Sequence, residues 1–320
     1  MRAPKPLFIL GCFGFTAILV APFFGAETLS LSAVFYPQSP EYRILTDLRL
    51  PRLLLAALVG GCLSTLGAIY QIIFHNSLSE PYVLGVSSGA TLAIVTGELA
   101  FGIGALSIAG GVCGLAGGMI VAGLIIFHAS LRSQERPEHL ILFGVGINFV
   151  LSSILFILLS FQLQSSSSNF RFLFGQIAWV SWAEVGWVWL MVFPVLIVLW
   201  IFGRKLDALS FGDEVARTLG VRPELTRNLL IFLTSILVSL LVIFAGSIGF
   251  VGLAVPHVVR LWVKPQSSRQ LMHHCFLFGA VFLVISDVVS RTLLPPFEFP
   301  IGTITTLVGG PVFLYFLWKR

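Results

Sequence analysis

The chain has 320 residues, 57% of them hydrophobic and 10% charged, with a mean hydropathy of +0.98. A soluble domain carries about 25% charged residues, so this composition excludes a water-soluble globular protein and indicates one polytopic membrane domain over 1–320. The formal net charge of +5 does not point to nucleic acid, because its placement follows membrane orientation.

Ten apolar segments of spanning or near-spanning length run over 7–24, 53–74, 82–101, 103–128, 140–161, 185–202, 229–246, 248–263, 272–290 and 301–317. About 20 residues cross a bilayer. The first segment follows Arg2 and Lys5 in the manner of a signal peptide. Its apolar run is longer than a signal core, so it reads as an uncleaved span. The eighth is the weakest, being short and carrying Pro256, His257 and Arg260. Charge placement tests the count. With the N-terminus inside and ten alternating crossings, fourteen Lys and Arg fall inside and five outside, the five being Arg43, Arg49, Arg52, Arg171 and Arg291. Dropping the eighth span would move Lys319 and Arg320 outside. The positive-inside rule therefore predicts an all-α fold of ten transmembrane helices with both termini cytoplasmic.

The outer loop 25–52 carries Pro37 and Pro40, and the outer stretch 162–184 places a flexible turn, Ser165 to Ser168, before an aromatic segment from Phe170 to Trp182. Small residues crowd several spans, among them Gly60, Gly61, Ser64 and Gly67, a spacing that lets helices pack closely. The long inner loop 203–228 reads GRKLDALSFGDEVARTLGVRPELTRN and is too charged for hydrocarbon. It also carries helix signals. Asp213 and Glu214 suit a helix N-terminus, and Val215, Ala216 and Leu219 form a short apolar stripe. Gly220 is a stop, and Pro223 is a suitable first residue of the next helix. The loop is either a tether with a chance helical turn or a docking helix that hands force from a soluble partner to the spans.

The chain has no GxxxxGK[ST], so it does not bind nucleotide through a P-loop. Cys12, Cys62, Cys113 and Cys275 each stand alone in apolar sequence and read as buried free thiols. His273, His274 and Cys275 are adjacent, and adjacent residues diverge on a helix, so they do not make a metal site. Glu98, Asp287 and Arg291 fall near outer ends of spans, which argues against proton coupling, since that would place ionisable groups near mid-membrane. Asp287 and Arg291 are four apart and can pair on one helix face. The outer charges are all arginine, whose fork suits carboxylates. They are either docking groups for a partner or snorkelling anchors.

Six stretches now carry a family resemblance: RLPRLLLAALVGG (49–61), HNSLSEPYVLGVSSGA (75–90), FGDEVARTLGV (211–221), GSIGFVGLAVPHVVRL (246–261), SDVVSRTLL (286–294) and PIGTITTLVGGPVFLYFL (300–317). In matching order and spacing over about 40–320, the chain resembles the FecCD family. These are membrane permeases of ATP-binding-cassette importers for iron–siderophore, haem and vitamin B12, located in the bacterial inner membrane. The resemblance implies ten spans, pairing with a second permease subunit, two cytoplasmic ATPase subunits beneath and a soluble binding protein above. It implies no cofactor in this chain, ATP and Mg belonging to the ATPases.

The resemblance also implies residue roles. Gly212, Asp213, Glu214, Ala216, Leu219 and Gly220 correspond to the family's coupling helices. Arg49, Arg52 and Arg291 match the arginines that receive two glutamates of the binding protein. Asn76 and Leu78 match the inner-gate turn, with Ser77 where proline is usual. Phe299 stands where leucine is usual. The pathway is expected between segments 140–161 and 301–317 of the two copies. Gly144, Gly146, Asn148, Thr303, Thr305 and Thr306 are lining candidates. The function expected is import of a ferric siderophore or related large chelate by alternating access. The alternatives are a vitamin B12 or haem importer, an ATP-independent secondary carrier, or a purely structural or receptor subunit.

Overall fold

The computed structural model describes residues 14, 16, 18–25, 29–30, 35–131, 137–162, 173–177, 180–295 and 297–318. Cys12, Ser165 to Ser168 and Arg171 lie outside the described residues. Among the described residues the regular elements are helices, with one isolated bridge between Leu294 and Phe297. After a 3-10 turn at Ala21–Phe23, α1 covers Pro40–Ile73. There follow α2 (Val86–Phe101), α3 (Ile108–Leu131), α4 (Pro137–Gln162), α5 (Trp182–Ile201), α6 (Gly203–Ser210) and α7 (Asp213–Thr218). The last four are α8 (Pro223–Ala245), α9 (Val251–Trp262), α10 (Ser268–Thr292) and α11 (Ile301–Trp318).

Helix ends follow local chemistry. Ser181 caps α5 in a reciprocal box with Glu184, Ser267 caps α10 through the Gln270 N–H, and Pro223 opens α8. Among the described residues six helices are long and apolar enough to cross a membrane: α1, α3, α5, α8, α10 and the His139–Ser160 part of α4. The helices α2 and α9 are apolar but shorter.

The expected eighth span at 248–263 is only partly helical. The helix there, α9, has 12 residues, and at 1.5 Å per residue it is about 18 Å long against a hydrocarbon core of about 30 Å. Gly246 (φ 63°) and Phe250 (φ 68°) leave helical space, and 246–250 runs as irregular backbone between α8 and α9. A hydropathy profile does not register that break, because Ile248, Phe250 and the apolar flanks keep the window average high across it.

The centre of the fold is α1, whose Leu55, Leu58, Cys62, Leu63, Leu66 and Ile69 have no exposed surface. Backbones approach closely on two sides of it. A Cβ on Gly60 would lie 2.2 Å from the carbonyl oxygen of Gly279 in α10, and one on Gly67 would lie 1.9 Å from that of Gly252 in α9. Ser64 Oγ adds a 2.7 Å bond to the Cys275 carbonyl. Small residues thus let three helices meet at backbone distance. Gly67→Ala should therefore cost roughly 1–3 kcal/mol by overpacking. Gly123→Ala, where a Cβ meets nothing within 4 Å, should be neutral or stabilising. Thermal unfolding of the two purified variants checks the contrast.

Candidate functional site

Three constellations stand apart from the apolar core. The first is a buried charge cluster at the start of α1. An α-helical turn, Pro40–Arg43, leads into a π-turn, Ile44–Arg49, before regular helix resumes. Such turns recur at functional sites. Arg52 Nε and Nη2 lie 3.0 and 2.9 Å from Asp287 Oδ1, and Arg52 Nη1 lies 3.0 Å from Glu298 Oε2. Arg291 Nη2 lies 2.9 Å from Asp287 Oδ2, the i,i+4 pairing expected from sequence. Arg49 donates to the Pro22 carbonyl at 3.0 Å.

Arg49, Arg52 and Arg291 are all buried in the single chain. The reason is pairing: the Arg52 and Arg291 guanidiniums share the buried Asp287 carboxylate, Glu298 adds a partly exposed one, and Arg49 is met by the Pro22 carbonyl, so each desolvated charge is offset. Pro22, Asp287 and Glu298 come from distant parts of the chain, and only Asp287 had a local spacing that announced it.

The second constellation is a cavity of about 660 Å³. Its polar wall comes from Ser87, Ser88 and Thr91 of α2, Asn148 and Ser152 of α4, Ser247 of the irregular segment, and Thr303 and Thr306 of α11. Ser88 Oγ donates to Asn148 Oδ1 at 2.5 Å and lies 3.1 Å from Ser152 Oγ. Ser87 and Ser247 hydroxyls are 2.9 Å apart. Among the described residues no Asp, Glu, Lys or Arg lines it. Of the residues expected along a pathway, Asn148, Thr303 and Thr306 meet here. Gly144, Gly146 and Thr305 do not line the cavity. Gly144 packs on Leu84, Gly146 faces open space, and Thr305 Oγ1 is turned inward to the Gly249 carbonyl at 3.0 Å. The α2 residues Ser87, Ser88 and Thr91 were not among the expected lining residues.

Beside the cavity, Glu80 in the loop between α1 and α2 accepts the Phe250 N–H at 3.1 Å, where α9 begins. Burial pushes its carboxyl up to about 7, the Phe250 bond pulling the other way. The loop is thereby fastened to the break between α8 and α9.

The third constellation joins α7 to the turn after α1. The stretch 203–228 is nearly all helical, and Gly212 (φ 101°) and Gly220 (φ 77°) bound α7. Ala216 faces inward, while Phe211, Val215 and Leu219 are exposed. Asp213 is tied down: Arg227 Nη2 lies 2.9 and 3.0 Å from its two oxygens, and His75 Nε2 lies 3.7 Å away. The same guanidinium donates through Nε to the Ile73 carbonyl at 2.9 Å. Arg217 pairs with Glu224 across the α7–α8 turn. The neighbouring 76–79 turn holds its shape without proline at Ser77, because Asn76 Oδ1 accepts the Leu78 N–H at 2.9 Å. Arg227 was missed as a functional residue. Its signal was a cation one turn into an apolar helix, which requires a partner.

Among the described residues no three His, Cys, Asp or Glu side chains converge as metal ligands. The His273 and His274 rings stand edge to face at 5.5 Å, and His274 Nδ1 contacts the Gln270 carbonyl.

Comparison with known proteins bears on what these constellations serve. Residues 12–319 match the FecCD transport family. The vitamin B12 import system permease protein BtuC of Salmonella typhi is 36% identical over 278 residues, 85% of this chain and 83% of the relative. That of Shigella boydii serotype 18 is 34% identical over 308 residues, 95% of this chain and 91% of the relative. A solved chain described as a metal-chelate type ABC transporter in an inward-facing conformation has a TM-score of 0.84 at 29% identity, covering 99% of this chain and 100% of that one. PsaBC from Streptococcus pneumoniae, with a TM-score of 0.55 at 19% identity over 82% of this chain and 89% of that one, shares the fold alone. The chain therefore belongs to the FecCD transport family, as a multi-pass inner-membrane transport subunit with no catalytic domain and no cofactor of its own.

Proposed function

We propose that the chain is the permease subunit of an ATP-driven importer for a ferric siderophore or related large metal chelate. The observation that carries this is the cavity of about 660 Å³ whose polar wall is mainly hydroxyl and amide and which, among the described residues, no Asp, Glu, His, Lys or Arg lines. It suits a bulky polar complex whose metal is already enclosed, and offers no carboxylate or imidazole to a bare cation. The solved metal-chelate type transporter supports the same reading. The names of the curated relatives favour a second cargo, vitamin B12.

A second permease copy completes the pathway. Exposed apolar residues on α4 and α11, the helices that carry Asn148, Thr303 and Thr306, are Leu142, Phe149, Leu307 and Leu314, and they suit an apolar partner face. Ten crossings, as charge placement predicts, put α6 and α7 on the cytoplasmic side, where two ATPase subunits dock. Phe211, Val215 and Leu219 present their contact surface, and Asn76 and Leu78 form the inner gate. Arg49, Arg52 and Arg291 receive carboxylates of a soluble binding protein on the opposite side. The test is purification of the intact complex with mass spectrometry of its subunits and bound small molecule. ATPase chains and a ferric chelate are expected, and a bound corrinoid would favour the second cargo. Ion-gradient-driven uptake by the permease without ATPase chains would overturn the proposal.

A further inference from the structure

Of the four groups in the outer charge cluster, Glu298 alone reaches water. Its side chain is 24% exposed, against 1% for Arg52, 2% for Asp287 and 4% for Arg291. The buried three interlock. Asp287 offers one oxygen to Arg52 and the other to Arg291. Glu298 sits at the outer corner on Arg52 Nη1, 3.0 Å away. The backbone on either side of it is pinned. Phe297 N–H donates to the Leu294 carbonyl at 2.9 Å, and Ser290 and Phe299 exchange two bonds of 2.5 and 3.2 Å. Leu293, Leu294 and Phe297 stand exposed on the same turn.

We propose that Glu298 is an internal stand-in for the docking carboxylate. It occupies Arg52 in the free permease and gives way when a binding protein presents a carboxylate of its own. This rests on the docking reading given above. The physical case is charge conservation in a dry site. Two guanidiniums and two carboxylates offset one another, and a buried guanidinium left without a partner is strongly destabilising. Exchanging one carboxylate for another keeps Arg52 paired throughout. Glu298 is the member placed to withdraw, since its side chain alone faces water and holds Arg52 through one nitrogen. The exposed Leu293, Leu294 and Phe297 supply apolar surface for the incoming protein around the exchanged pair. Internal competition lowers the apparent affinity, as any occupied competent state does.

Glu298→Gln keeps an oxygen for Arg52 and removes the competing charge. In the reconstituted complex it should tighten binding of the soluble binding protein about two- to fivefold, the range of a partly exposed ion pair, with a steeper salt dependence. Arg49→Gln, which removes a docking charge outside the Arg52 set, should weaken binding. Unchanged or weaker binding in Glu298→Gln, with weaker binding in Arg49→Gln, overturns the stand-in and leaves docking intact. No change in either variant overturns docking itself. Glu298→Asp, a methylene shorter, provides a second variant and should move affinity in the same direction as Gln. Failure of both Glu298 variants to assemble would show a purely structural carboxylate and overturn the proposal.

Discussion

Arg52→Glu should prevent the permease from accumulating as a folded subunit. Arg52 is 1% exposed and contacts two carboxylates, Asp287 and Glu298. The substitution would place a third carboxylate between them and leave only Arg291 to balance the set. Removing one partner of a buried ion network costs about 3–5 kcal/mol, and reversing its sign costs more. A membrane domain with a net stability of roughly 5–15 kcal/mol loses much of its margin. Arg52→Lys should be intermediate, because an ammonium is a point charge and cannot span both carboxylates as the fork does. Yield of detergent-extracted monodisperse protein and its thermal midpoint are the measurements. Wild-type values for Arg52→Glu would show that the cluster is not closed within the chain. The result also bears on docking tests, since lost uptake in an Arg52 variant reports folding before it reports partner capture.

Arg227→Met should uncouple ATP hydrolysis from transport. One guanidinium joins the start of α8 to the α7 carboxylate Asp213 and to the Ile73 carbonyl at the end of α1. Through Ile73 and His75 it reaches the Asn76 turn, so a push on α7 is delivered to that turn by direct contacts. Methionine keeps the apolar stem and removes all three bonds. Bonds to charged groups are worth about 1.5–3 kcal/mol each, so the loss is enough to let α7 move independently. Uptake per ATP hydrolysed is expected to fall about tenfold, an amount equal to one such bond. Arg227→Lys, able to keep Asp213 or Ile73 but not both, should recover part of it. Parallel assays of uptake and ATPase rate in proteoliposomes decide the matter, and an unchanged ratio in Arg227→Met would rule out this linkage. Asp213 is then an anchor within the chain, its side chain 26% exposed, and on the function proposed above contact with an ATPase falls to Phe211, Val215 and Leu219.

The sequence by itself determined what depends on local chemistry and on the solvent each segment must face. Apolar length marked most of the helices, and charge density marked 203–228 as unsuited to hydrocarbon. Gly212, Asp213 and Gly220 bounded α7, and four-residue spacing paired Asp287 with Arg291. The motif order was sufficient for the family. Tertiary structure decided what depends on groups far apart in the chain. The half-length of α9 came from backbone conformation at Gly246 and Phe250, not from hydropathy. Burial of Arg52 required Asp287 and Glu298, 235 and 246 positions away. The link from Arg227 to the Ile73 carbonyl crosses 154 positions and ends on a backbone atom. Every residue has such a carbonyl, and only packing selects the one that is used. A charged side chain in a membrane protein declares in sequence that it needs a partner, but which partner, and whether the pair is wet or dry, is fixed by how the helices meet.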